Sequence, residues 1–220
     1  MIVAGLDVWK RGWVAVMVRD GVVDSVSIYA ILTDFVARAR GAAAVGIDIP
    51  LLLPTEPPRR ADIEARAEVG LRRSSVFSAP PLDVIEQTSY ADARRLSRER
   101  YGIGVSAQSY ALRARILEAR AVALADDRFI EVHPEVCFAT MAGAHLAFAK
   151  KTWNGQVLRR ELLTAHGLVL PQQLQGEAGS VPVDDVLDAA AAAWSAHRKA
   201  QGHAKSLPAD PEVGEGVIWV

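Results

Sequence analysis

Carboxylate side chains occur at positions where the sequence otherwise predicts buried strands. Asp7 follows the apolar run 2–6, and Asp48 interrupts a second apolar run at residues 43–50. An ionised carboxylate that is buried without a partner is strongly unfavourable, so each aspartate needs a cation or several hydrogen-bond donors. A loop cap, in which the aspartate accepts backbone N–H bonds, is an equally good interpretation of either residue taken alone.

A late helix carries the most specific of the carboxylate patterns, within residues 183–189. Asp185 and Asp188 are three residues apart and therefore share one helical face. The helix dipole favours acids in a first turn, which accounts for Asp184. It does not account for Asp188, because a run of small apolar residues follows directly. We expect Asp188 to face the core, where its carboxylate needs a partner.

A third group of polar residues follows a short strand near the middle of the chain. Glu131, His133 and Glu135 alternate, so an extended segment would direct all three side chains to the same side. Pro134 lets Glu135 turn away, which makes Glu131 the better candidate; a solvated strand end is the competing interpretation. Converging carboxylates are ligands that Mg²⁺ and Mn²⁺ prefer, and such ions can support phosphodiester cleavage.

Basic and hydroxyl side chains provide candidate contacts to a phosphate group. The candidates are Arg72, Arg73, Ser74, Ser75, Lys150 and Lys151. Arg59, Arg60 and Arg66 make the region before them locally basic. The alternative for all of these residues is an exposed position without a ligand. Acidic residues of the same region balance the charge of the arginines, and paired lysines usually lie in solvated loops.

The order of the predicted elements favours one α/β domain with a mixed sheet. Three antiparallel strands come first, and strands and helices follow in alternation. The segment at about residues 51–125 is too long for a simple crossover, so we expect a mainly helical insertion. The predicted strands are 2–6, 13–18, 22–29, 43–50, 129–132 and, at the sheet edge, 217–220. The predicted helices are 34–40, 61–69, 89–100, 106–125 and 184–200.

Composition narrows the classes of function. The 220 residues carry a formal net charge of −1, so no overall positive field indicates a nucleic-acid partner, although basic residues on one face could still bind one. Cys137 is the single cysteine, which excludes an intrachain disulfide and a cysteine-based zinc site. The first residues resemble a strand rather than a signal peptide, and no apolar run approaches a membrane span. We expect a cytoplasmic protein without a membrane partner.

The aspartates and their positions resemble the ribonuclease H-like superfold, in particular nucleases of the Holliday-junction-resolvase type. More closely, the chain resembles the family catalogued as domain of unknown function 429 (DUF429), described as predicted ribonuclease H-like nucleases. The matching stretches occur in order along nearly the whole chain. They are residues 46–50, 70–77, 104–108, 131–135, 150–152 and 184–189.

The resemblance implies a ribonuclease H-like mixed sheet with flanking helices and a site for Mg²⁺ or Mn²⁺. It implies metal ligands at four aspartates: Asp7, Asp48, Asp185 and Asp188. Glu131 would be a further ligand or a base, and Asp184, His133 and Glu135 would orient the ligands. The chain departs from the resolvases at residues 8–12, Val-Trp-Lys-Arg-Gly, where those enzymes have a Pro-Gly turn.

We therefore expect a divalent-metal-dependent nuclease or phosphodiesterase acting on nucleic acid or a nucleotide. Two alternatives stay open. One is a non-catalytic nucleic-acid or nucleotide-binding module with a relic acidic pocket, which the near-neutral charge favours slightly. The other is an ATP-dependent phosphotransferase of the actin and sugar-kinase type, which would need a second, similar domain.

Overall fold

The computed structural model describes residues 1–10 and 12–220, and within them one mixed sheet runs through the molecule. Its strands are β1 (Ile2–Trp9), β2 (Gly12–Arg19), β3 (Val22–Tyr29), β4 (Ala42–Ile47), β5 (Phe129–Val132), β6 (Ser206–Leu207) and β7 (Ile218–Trp219). They lie in the order β3-β2-β1-β4-β5-β7-β6. The first three strands are antiparallel, while β4, β5 and β7 continue parallel to β1. The predicted antiparallel start and mixed sheet are confirmed; Arg11, in the predicted first turn, lies outside the described residues.

Helices cover both faces of the sheet. They are α1 (Leu32–Arg38), α2 (Arg60–Val69), α3 (Leu82–Ile85), α4 (Tyr90–Tyr101), α5 (Ala107–Ala111), α6 (Arg113–Ala125), α7 (Pro134–Ala142), α8 (Trp153–Ala165) and α9 (Val183–Ala200). Helices α2 to α6 all fall between β4 and β5. Across the described ranges, no helix combines the length and the apolar character that crossing a bilayer demands.

Two predictions about these elements were wrong, and one helix was not predicted. The predicted helix 106–125 is divided at Leu112 into α5 and α6. The helix that was not predicted is α7, which begins at Pro134, because proline is well tolerated in the first turn of a helix. The C-terminal strand β7 is not an edge strand, since β6 pairs along its outer side.

Alternation along β1 and β4 determines which side chains face α9. Val3 and Ala44 lie in the apolar cluster that contains the alanines of α9, whereas Ala4 and Val45 lie in the cluster on the opposite face. Because side chains alternate along a strand, Asp7 continues the series 3, 5, 7 and points towards α9. Asp48, directly after β4, continues the corresponding series 44, 46, 48.

Two glycines let α9 lie almost against the sheet. Gly5 and Gly46 are register partners in the parallel pair β1–β4. A Cβ atom on Gly5 would stand 2.1 Å from the carbonyl oxygen of Ala189, and one on Gly46 would stand 2.3 Å from that of Ala192. The buried alanines 189–193 complete the contact from the helix side. The helix backbone therefore packs directly on β1, which contains Asp7, and on β4, which Asp48 follows.

We predict that Gly5→Ala destabilises the protein by about 3 kcal/mol, because the added methyl group has no space without moving α9. Gly104→Ala is the matched control, since an added Cβ there meets nothing within 4 Å and the change should stay within about 0.5 kcal/mol. The free energy of unfolding in urea measures both. A Gly5→Ala protein as stable as the wild type would contradict the close packing of α9.

Candidate metal centre

Adjacent parallel strands bring two of the predicted aspartates together. Leu6 of β1 and Ile47 of β4 are register partners, and Asp7 and Asp48 come next on their respective strands. The backbone N–H of Asp48 donates to the carbonyl oxygen of Leu6 at 3.0 Å, which continues the pairing by one residue. The two carboxylates therefore lie side by side at the same end of the sheet, facing α9.

Helix α9 places the third carboxylate over this pair. Asp188 directly precedes Ala189, whose carbonyl oxygen lies against Gly5. One oxygen from each of Asp7, Asp48 and Asp188 can be chosen so that all three lie within 4.8 Å of one another. Asp7 and Asp188 are buried, with 8% and 2% of their surface exposed, and Asp48 is half-buried. These three residues are called the aspartate triad below.

The triad is a region of strong electrostatic repulsion. Burial, followed by the charges of Asp48 and Asp188, raises the pKa of Asp7 well above its usual value. Burial raises the pKa of Asp48 and of Asp188 to about 7, although the nearby Lys150 ammonium acts in the opposite direction. Ionisation of these three carboxylates is unfavourable because they are close together and away from water. A bound cation would offset their repulsion and so stabilise the ionised site.

Among the described residues, the hydrogen bonds of the triad leave one buried acceptor oxygen without a partner. Asp7 accepts the backbone N–H of Val8 at 2.7 Å, as the loop-cap interpretation of this residue requires. Asp188 accepts a hydrogen bond from the Lys150 ammonium on Oδ2. Its Oδ1 is buried and has no hydrogen-bond partner among the described residues. A buried carboxylate oxygen without a donor is costly and is rarely left so in a folded protein.

The donor set fits Mg²⁺ or Mn²⁺. Both ions are hard cations that prefer carboxylate oxygens, and the triad offers oxygens from three chain segments. Opposite ligands of one Mg²⁺ ion lie roughly 4 Å apart, so a group of oxygens within 4.8 Å needs little adjustment. The unused Oδ1 of Asp188 supplies an oxygen that such an ion would satisfy.

Two of the predicted acidic residues lie in buried ion pairs instead. Both oxygens of Glu131 accept hydrogen bonds from Arg59, and Oε2 also accepts the backbone N–H of Leu51. Both oxygens of Glu135 accept from one nitrogen of Arg159, at 2.6 and 2.7 Å. These contacts give Glu131 a structural role, and it is not one of the three clustered acids; that it is a further ligand or a base stays a prediction.

Arg59 joins several segments around the site. Besides Glu131, its guanidinium donates to Asp62 in the first turn of α2 and to the carbonyl oxygen of Leu52. Asp62 in turn accepts the backbone N–H of Ala79. Arg59 is only 6% exposed, so its basic neighbourhood in the sequence does not mark a solvated surface. The sequence has no local signal for this network, because Arg59 and Glu131 are separated by 72 residues.

The other acids of α9 lie next to the triad rather than in it. Asp185 is half-buried, and burial, followed by the charge of Asp184, raises its pKa. The charge of Asp185 also contributes to the raised pKa values of Asp7 and Asp48. Asp184 is buried. The prediction that Asp185 is a metal ligand stays a prediction.

A cavity of about 230 Å³ opens beside the triad. Its polar lining is Asp48, Asp188, Lys150, Arg72, Ser74, Ser75, His133 and Glu135. Four of the six predicted phosphate-binding residues therefore line it, whereas Arg73 and Lys151 are exposed and do not belong to the lining. A larger cavity of about 660 Å³ lies between α7 and β6 and contains none of the triad.

Two of the lining residues have further contacts that define their roles. Arg72 donates to the carbonyl oxygens of Leu146 and Ala147 and so joins the loop after α2 to the loop before α8. Burial lowers the pKa of His133, and its Nδ1 is buried without a partner among the described residues. Arg72 thus holds the cavity wall, while His133 contributes a neutral polar group to it.

Comparison with known proteins identifies a family. A family model described as "Protein of unknown function (DUF429)" matches residues 5–213, which confirms the predicted membership of the DUF429 family. No curated protein and no solved structure matches the chain.

We predict that the metal-free protein loses stability as the pH rises from about 5 to about 8. The pKa values of Asp48 and Asp188 are about 7 in the folded state, against a usual value near 4 in an unfolded chain. The folded state therefore binds more protons in this interval, and its stability falls as they are lost. When unfolding in urea is measured in the presence of a chelator, the free energy of unfolding of Asp48→Asn should fall less steeply with pH than that of the wild type. The exposed Asp127→Asn serves as the control, and equal slopes for all three proteins would contradict the prediction.

We predict that Arg59→Met destabilises the protein by about 3–5 kcal/mol, because Glu131 and Asp62 would remain buried without their cation. The neighbouring Arg60 pairs with Asp210 and Glu215 at the surface. Arg60→Met should therefore destabilise the protein much less than Arg59→Met, because exposed ion pairs contribute little. Urea unfolding measures the difference between the two variants, and similar losses would show that the Arg59 pairs contribute no more than a surface pair.

Proposed function

We propose that this chain, which belongs to the DUF429 family, is a divalent-metal-dependent phosphodiesterase that acts on nucleic acid or a nucleotide. The observation that carries the proposal is the convergence of three carboxylates, one of them with an unused buried oxygen, beside an open cavity. A site built only to stabilise the fold would pair these acids with arginines, as Glu131 and Glu135 are paired.

The arrangement of the sheet supports a ribonuclease H-like assignment as part of the same proposal. Three antiparallel strands are followed by strands parallel to β1, and a late helix crosses the first and fourth strands. The aspartates of β1, of the end of β4 and of α9 occupy the positions that the family resemblance implies for metal ligands. Fold-level analogy alone does not determine activity, so the chemistry of the site carries the argument.

Asp7, Asp48 and Asp188 would hold Mg²⁺ or Mn²⁺ through their carboxylate oxygens. A bound ion of this kind supplies a Lewis acid that activates water and neutralises charge developing on a phosphate. The chain's own residues provide the remaining functions. Ser74 and Ser75 line the cavity with hydroxyl groups that can donate to phosphate oxygens, and the Lys150 ammonium adds a positive charge.

The walls of the cavity are held by hydrogen bonds from two arginines to the loop before α8. Arg72 fixes one wall by its hydrogen bonds to the loop before α8, and Arg159 fixes the same loop by donating to the carbonyl oxygen of Phe148 at 3.1 Å. A site assembled before binding loses less free energy in ordering its groups around a substrate. We therefore assign Arg72 a positioning role in the proposed enzyme.

We predict that wild-type protein binds Mn²⁺ and that Asp7→Asn and Asp188→Asn weaken binding by at least about 100-fold, because each removes a charged ligand. Isothermal titration calorimetry measures the affinity, and thermal melts establish that the variants are folded. Asp127→Asn, which changes an exposed acid far along the chain, should bind as the wild type does. Undiminished binding in both triad variants would remove the metal site and the proposed activity with it.

Cleavage of nucleic acids distinguishes the enzyme from a binding module. Single-stranded, double-stranded and branched DNA and RNA, together with small phosphodiesters, should be tested with Mn²⁺ and with chelator. The proposed enzyme cleaves at least one class, and both triad variants lose this activity. Metal-dependent binding of nucleic acid without cleavage across the set would favour the non-catalytic alternative.

A further inference from the structure

One positive charge already belongs to the triad. The Lys150 ammonium donates a hydrogen bond to Oδ2 of Asp188. Burial by itself would lower the pKa of Lys150, but the charges of Asp188, Asp48 and Asp7 together raise it above its usual value. Lys150 is thus hydrogen-bonded to the helix member of the triad, and it lines the same cavity as Asp48 and Asp188.

We propose that Lys150 is a resident cation of the triad, so that the site accepts one divalent metal ion rather than two. The proposal rests on the metal-dependent function proposed above and specifies how many ions that function uses. Three ionised carboxylates are neutralised by one divalent ion together with one ammonium group. Two divalent ions beside the ammonium would leave an excess of positive charge in a partly buried site, which is strongly unfavourable.

The two oxygens of Asp188 divide the site between the two cations. Oδ2 accepts the ammonium, whereas Oδ1 is buried and unpartnered among the described residues. An ion held by Oδ1 would thus share Asp188 with Lys150 without displacing it. This arrangement gives Lys150 a different role from that of a surface lysine that contacts a phosphate only when substrate arrives.

The backbone around Lys150 is fixed by contacts on both sides. Thr152 caps α8 by accepting the N–H of Gly155, and its hydroxyl donates to the carbonyl oxygen of Ala149 at 2.8 Å. A Cβ on Gly155 would stand 1.9 Å from that same carbonyl oxygen, so α8 begins in direct contact with the segment. On the preceding side, Arg159 donates to Phe148. The segment therefore directs Lys150 at the triad, while its neighbour Lys151 is exposed.

The experiment counts the Mn²⁺ ions bound per chain and compares Lys150→Met with Lys151→Met. It uses calorimetry at low ionic strength, at a pH high enough that a further increase no longer changes the affinity of any of the proteins for Mn²⁺. We expect one ion per wild-type chain. We expect Lys150→Met to bind Mn²⁺ at least about tenfold more tightly, because a like charge within a few ångströms is removed. Lys151→Met should match the wild type within about twofold, since its side chain is exposed to solvent.

The possible outcomes separate this inference from the proposed function. Two ions bound to a folded wild-type chain would overturn the role of Lys150, and this result needs no variant. Wild-type binding of one ion with unchanged affinity in Lys150→Met would also overturn it, while leaving the metal site intact. Absence of Mn²⁺ binding in the wild type would overturn both proposals.

Discussion

The close contact between α9 and the strands β1 and β4 determines where the acidic residues meet. Gly5 and Gly46 leave no side chain between helix and sheet, and the alanines 189–193 present only methyl groups from the other side. Larger residues at these positions would hold the helix backbone farther from the strands. Asp188 would then lie farther from Asp7, because Asp188 directly precedes Ala189 and Asp7 follows Gly5 by two residues. A packing constraint in the core thus sets the spacing of the candidate ligands.

Buried acids in this protein fall into two groups with different partners. Glu131 and Glu135 each face an arginine that occupies both carboxylate oxygens, and such pairs stabilise only when nearly every hydrogen bond is formed. The triad has three carboxylates and, as its nearest basic group, Lys150. The two glutamates have their cationic partners within the protein. The triad carries more negative charge than Lys150 can neutralise, so a bound cation can neutralise the rest. The absence of an arginine partner among the described residues therefore identifies the triad as a candidate site better than the number of clustered acidic residues does.

Local sequence patterns were sufficient for some features and not for others. The positions of Asp7 and Asp48 follow from apolar runs, and the inward direction of Asp188 follows from the alanines after it. The partner of Glu131 could not be predicted, because Arg59 lies 72 residues away and occurs among other arginines. Helix α7 was missed because it is buried almost all round, so its sequence has no polar face to produce a helical period.

Charge also constrains the order of events at the proposed site. Without a divalent ion the triad repels a phosphodiester, and the single ammonium of Lys150 offsets only part of that repulsion. In the proposed enzyme a phosphate group would therefore gain by entering the cavity after the cation, and Ser74 and Ser75, which line the cavity, would offer it neutral contacts. In the metal-free protein, protonation of the triad near neutral pH relieves the repulsion between its carboxylates. Proton release and cation binding are consequently linked, so cation affinity rises with pH until the triad is fully ionised.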